Sequence, residues 1–131
     1  MSQVYIVEDD SHSIRQAVQS IAKEFPDVDI RVLTTPESAL EILQNLSARK
    51  IPRPIMIVLD LDFGDQSGFE VLRYWRSSKS KVPIIVWTAL GKTYQDISNL
   101  FGVQAVVSKL DGPQALIAAM ASIKKTNEVA D

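Results

Sequence analysis

Apolar residues along the chain fall into two alternating periods. Short runs, VYIV at 4–7, DIRVL at 29–33, PIMIVL at 54–59, PIIVW at 83–87 and VQAVV at 103–107, read as strands. The runs at 54–59 and 83–87 are apolar throughout, which suits strands covered on both faces. Between them the spacing becomes helical: Ile14, Ala17, Val18, Ile21, Ala22 and Phe25 mark one face. TTPESALEILQNL opens with Thr35 and Pro36, an N-cap and first-turn pair, and sets Leu40, Leu43 and Leu46 on a stripe. SGFEVLRYWRSS, KTYQDISNLF and GPQALIAAMASIKK supply three more helices, the last burying Leu116, Ala119, Met120 and Ile123. Five strands alternating with five helices predict an α/β fold, a parallel sheet with helices on both faces. Ligands of such sheets sit beyond the carboxyl ends of the strands, where strand order reverses.

Composition narrows the classes. A chain of 131 residues fits one domain, and 46% hydrophobic with 23% charged residues is ordinary for a soluble protein. The absence of cysteine excludes disulfides, thiolate metal sites and cysteine nucleophiles. A net charge of −2 gives no reason to expect nucleic acid or an anionic membrane as partner. The unbroken run IMIVL is too short to cross a bilayer, and acids at 8–10 speak against a signal peptide, so a cytoplasmic location is expected. The segment RYWRSSKSK is basic with interleaved aromatics, yet helix-end cations that complement the dipole, with Trp75 packed inward, explain it without nucleic acid. The polar end reads as a frayed tail or the start of a linker, so the domain is set at 1–124 and the tail at 125–131.

The strand ends carry the chemistry. Glu8, Asp9 and Asp10 follow the first strand, Asp60 the third, Thr88 and Ala89 the fourth, and Lys109 stands just past the fifth. Two carboxylates about 5 Å apart repel by roughly 3 kcal/mol at an effective dielectric near 20. A cluster of Glu8, Asp9 and Asp60 therefore calls for a cation, and hard oxygen ligands in an open cleft suit Mg²⁺. Taken singly, each residue has a plainer use: Asp10 or Ser11 as a helix cap, Thr88 as a turn residue, Lys109 as a surface lysine. His12, the lone histidine, reads as an exposed residue of the first helical turn, with phosphodonor or metal ligand as its other reading. Convergence on one sheet edge is what favours a site.

Those residues resemble the receiver domain of two-component response regulators over nearly the whole chain. VYIVEDD is similar to the family's first strand with its acidic pair, VLDLDFGDQSGFEVL to its phosphoacceptor segment, PIIVWTA to its fourth strand and VVSK to its fifth. Gly68 follows Asp60 by eight positions, as a glycine follows the acceptor in that family. The resemblance implies a CheY-like, flavodoxin-like doubly wound (βα)5 fold with sheet order 2-1-3-4-5. It implies Asp60 as phosphoacceptor, with Thr88 and Lys109 binding the phosphoryl oxygens. Glu8, Asp9, Asp60 and the backbone carbonyl of Asp62 would be Mg²⁺ ligands, and Ala89 a small residue leaving an entrance. It implies a histidine kinase or histidine phosphotransfer protein as donor and an unidentified downstream protein target; from charge and pattern no nucleic acid or membrane is expected to be bound by this domain, and a homodimer is left open. The expected role is a phosphorelay switch and not an enzyme.

Two alternatives stand beside it. Phosphatases of the haloacid-dehalogenase type also begin a site with Asp-x-Asp after a strand, with Asp62 then serving as general acid and base. Gly64 departs from that motif, an earlier strand brings its own acidic pair, and little chain remains for a substrate-selecting cap. The other alternative is a receiver-like interaction module that works without phosphorylation. Three departures bear on it: Val106 stands where receivers carry a switch aromatic, Gly64 where proline is usual, and Leu110 follows the lysine where proline is usual. Output is then expected through the fourth helix and Thr88, with Trp87, Tyr94 or Phe101 as the moving packing element.

Overall fold

Hydrogen bonding in the computed structural model, which describes residues 2–48, 50–63, 66–89, 96 and 101–130, gathers the apolar runs into one sheet. Its strands are β1 (Ser2–Val7), β2 (Val28–Leu33), β3 (Met56–Leu59), β4 (Ile84–Thr88) and β5 (Ala105–Ser108). All pair in parallel in the order 2-1-3-4-5, so the chain reverses its direction of travel between β1 and β3. This is the flavodoxin-like arrangement. Among the described residues four helices flank it: α1 (Ser11–Glu24), α2 (Pro36–Ser47), α3 (Phe69–Ser77) and α4 (Pro113–Ala130). The helix expected over 92–101 lies outside the described residues, apart from Asp96 and Phe101.

Strand burial follows position in the sheet. Every residue of β3 and β4 is buried, whereas β2, at one edge, alternates and leaves Asp29 and Arg31 exposed. Pro54 and Pro83 precede the strands they were grouped with, since a proline has no N–H to give a ladder. β5 begins at Ala105, two residues later than the pattern suggests, because the Gln104 side chain accepts from Ile84 N at 2.8 Å.

The sheet separates two cores. One joins Val4, Ile6, Met56, Val58, Ile85 and Trp87 to α1 and to Leu116, Met120 and Ile123 of α4. The other joins Tyr5, Val7, Ile57, Leu59, Ile84 and Val86 to α2 and α3, with Phe69, Phe101 and Val106 packed at its margin. The face of α1 is rotated from the expected one: Ser13, Ala17 and Ile21 are buried, Ala22 is exposed. Asp10 is its N-cap, accepting from Ser13 N at 2.9 Å and Ser13 Oγ at 2.7 Å, which satisfies the buried hydroxyl. Thr35 caps α2 by accepting from Ser38 N at 3.1 Å. Trp75 of α3 packs inward and donates from Nε1 to Val82 O at 2.8 Å.

Helical backbone continues through residues 125–130, past the expected boundary, while the last buried side chain of α4 among those described is Ile123. At the amino-terminal ends of β3 and β4, Arg53, Lys79 and Lys81 line a cleft of about 300 Å³. No helix among the described residues is long and apolar enough to cross a membrane.

Candidate functional site

The carboxyl ends of β1, β3, β4 and β5 meet where strand order reverses. β1 delivers Glu8, whose backbone N–H donates to Leu33 O at 3.0 Å, and β3 delivers Asp60, whose N–H donates to Val7 O at 2.9 Å. The parallel ladder thus sets the two side by side. Carboxylate oxygens of Glu8, Asp9 and Asp60 lie within 4.8 Å of one another, with Glu8 and Asp60 buried and Asp9 exposed. From β5, Lys109 reaches across the strand ends: its Nζ stands 2.7 Å from Glu8 Oε2 and 3.3 Å from Asp60 Oδ2. Asp60 Oδ1 accepts from Asp62 N at 3.2 Å. Thr88, the last residue of β4, is fully buried and donates from Oγ1 to Asp62 Oδ2 at 3.4 Å.

Electrostatics make this cluster a strained gathering of charge. Burial pushes the Glu8 carboxyl up to about 7, with the Asp60 charge adding to the rise and Lys109 opposing it. Burial alone would lower Lys109, but the carboxylates of Glu8 and Asp60 outweigh it and hold the ammonium above its ordinary value. Glu8 Oε2 is paired with the Lys109 ammonium and has no further hydrogen-bond partner among the described residues. A buried carboxylate oxygen in that condition, beside two further carboxylates, is the donor set a hard divalent cation takes.

All of the residues singled out in the sequence are brought together here: Glu8, Asp9, Asp60, Asp62, Thr88 and Lys109 share one edge. Ala89 is exposed beside them, and His12 is exposed on the first turn of α1. Gly68 lies against the backbone of Asp60 and Leu61 and donates from its N–H to Leu61 O at 2.8 Å. A Cβ on it would stand 2.5 Å from Asp60 O and 3.0 Å from Leu61 Cα, so only glycine fits. Gly64 and Tyr94 lie outside the described residues, and the Lys109–Leu110 peptide is trans.

One neighbour of the site was not read from the sequence in this place. Trp87 lies in the core under α1 and α4, and Lys109 Nζ stands 5.2 Å from its ring centroid. The register offers part of the signal: Trp87 pairs with Val107, two residues before Lys109.

Known proteins share this family and fold. The family described as response regulator receiver domain matches residues 4–121. The cell cycle response regulators CtrA of Brucella ovis and Brucella abortus are 29% identical over 126 residues, covering 95% of this chain and 51% of theirs. The chain therefore spans about half the length of these curated relatives. Among solved structures, the bacteriophytochrome response regulator RtBRR superposes with a TM-score of 0.80 at 26% identity, over 94% of this chain and 78% of that one. The signal receiver domain of a LuxO repressor protein from Vibrio parahaemolyticus gives 0.76 at 25%, over 99% and 95%. The BeF3-activated DrrB receiver domain, at 19% identity and a TM-score of 0.74 over 95% and 98%, shares the fold.

Proposed function

This chain belongs to the response regulator receiver domain family, and from that premise we propose that Asp60 accepts a phosphoryl group from a phosphohistidine of a kinase or phosphotransfer protein. The observation that carries the reading is the meeting of Glu8, Asp9 and Asp60 within 4.8 Å, with Lys109 Nζ 3.3 Å from Asp60 Oδ2. A carboxylate oxygen of Asp60 forms the new P–O bond as the P–N bond breaks, and the departing imidazole keeps the bonding pair. Lys109, already between Glu8 and Asp60, swings its ammonium onto a phosphoryl oxygen. Thr88 turns its hydroxyl from Asp62 to another. Ala89, small and exposed, leaves the approach to Asp60 open.

Glu8, Asp9, Asp60 and the Asp62 carbonyl would hold Mg²⁺, which supplies charge neutralisation at the transferring group. Residues 1–124 make up the receiver domain in this reading, and 125–131 lead away from it. Signalling follows through protein–protein contact with a downstream target, by the added charge at Asp60 and the rearrangement of Thr88 and Lys109. A second reading, an interaction module that signals without phosphorylation, is favoured by Val106, which offers no ring at the margin of the α2–α3 core.

Acetyl phosphate with Mg²⁺, followed by intact mass, separates the two. The expected result is one added phosphoryl group, absent in Asp60→Asn. A chain that takes no group from acetyl phosphate or from a phosphorylated kinase belongs to the second reading. Multiple turnover of a phosphate ester would instead identify an enzyme.

A further inference from the structure

We propose that Trp87 is a positioning residue for Lys109: its ring face lies under the ammonium and holds the lysine stem across the strand ends, so that Nζ stands between Glu8 and Asp60. The inference deepens the phosphoacceptor reading and rests on it for the transfer step. In the sheet order, Trp87 on β4 lies between Lys109, the residue just past β5, and the carboxylates of Asp60 and Glu8, just past β3 and β1. Lys109 Nζ lies 5.2 Å from the ring centroid, 3.3 Å from Asp60 Oδ2 and 2.7 Å from Glu8 Oε2. Three partners, at the ends of three neighbouring strands, therefore fix one flexible side chain.

The indole is a costly choice for packing alone. Trp87 is 1% exposed, fixed in the core among Val58, Ile85, Leu116 and Met120, and its Nε1 has no hydrogen-bond partner among the described residues. Phenylalanine or leucine would fill this core without stranding an N–H. What indole adds is the aromatic face that attracts a cation most strongly. Without that face, the lysine stem is free to collapse onto the nearer Glu8 or to swing into solvent, and Asp60 loses the cation that prepares it for a phosphoryl group.

Trp75→Phe leaves Trp87 as the sole tryptophan, since the chain has two. In that background Lys109→Met changes the intensity or maximum of Trp87 emission without Mg²⁺ or phosphodonor; superimposable spectra overturn the contact. Phosphorylation by acetyl phosphate, followed by intact mass, then tests positioning. Trp87→Phe stays within about threefold of the parent rate and Trp87→Leu falls about tenfold, whereas the leucine change has no further effect in Lys109→Met. Equal rates for the two variants, or an additive loss in Lys109→Met, overturn the role. Trp87→Met replaces Trp87→Leu if the leucine variant does not fold. A parent that takes no phosphoryl group removes the acceptor reading and the transfer role with it, and the emission comparison still decides the contact by itself.

Discussion

Thr88 Oγ1 donates to Asp62 Oδ2 across 3.4 Å, tying the end of β4 to the segment just after β3. The hydroxyl assigned to the phosphoryl group is therefore engaged elsewhere in this state, through a long bond that is readily exchanged. Asp62→Ala removes the competing acceptor. A hydroxyl-to-carboxylate bond stretched to 3.4 Å is worth about 1 kcal/mol, so the aspartyl phosphate is expected to persist roughly two- to fivefold longer, read from the decay of the phosphorylated mass. An unchanged or shorter lifetime would show that Asp62 does not compete for Thr88.

Proton and metal compete at Glu8. Its carboxyl is held up to about 7, so below that value a divalent cation must displace a proton. Apparent Mg²⁺ affinity is expected to fall about tenfold from pH 8 to pH 6, measured by calorimetric titration. For stability without metal the sign runs the other way. A carboxyl raised in the folded state gives stabilisation that is present below 4.5 and lost as pH rises through about 7. The melting-temperature difference between wild type and Glu8→Gln isolates that loss.

Gly68 lies against the backbone of Asp60. A methyl group there would press on Asp60 O and Leu61 Cα, backbone atoms that cannot rotate away. Gly68→Ala is expected to destabilise the fold by about 2 kcal/mol or more in urea unfolding and to slow phosphorylation as well. A neutral outcome in both would mean that the acceptor segment yields without consequence.

Asp10 serves as the cap of α1. Its carboxylate caps α1 through Ser13, whose side-chain hydrogen bond holds it below the usual carboxylate range. Asp10→Ala is expected to cost about 1 kcal/mol in thermal unfolding at neutral pH while leaving Mg²⁺ affinity within about twofold. The wild-type advantage should shrink as pH falls through the depressed value, because a lowered carboxyl stabilises only while ionised.

Much of this was legible in the sequence. The runs at 54–59 and 83–87 announced central strands because two-sided burial leaves no room for alternation, and Glu8, Asp60 and Lys109 were marked by their like positions at successive strand ends. What stayed hidden depends on side-chain geometry across distant segments. No periodicity reveals that Gln104 takes the first amide of β4, that Thr88 turns to Asp62, or that Ser13 is buried because Asp10 satisfies it. Trp87 was considered as a moving element without its place, and its face in the core under α4 follows only once the register with Val107 is fixed.

Formal charges nearly cancel over the chain, yet two local groups rich in opposite signs stand at opposite ends of the strands. Acids crowd one end of the strands, and Arg53, Lys79 and Lys81 line the cleft at the other. A body drifting toward such a molecule is rotated by the field before it is pulled. Orientation on approach, and its weakening by salt, should therefore exceed anything the overall charge of −2 would suggest.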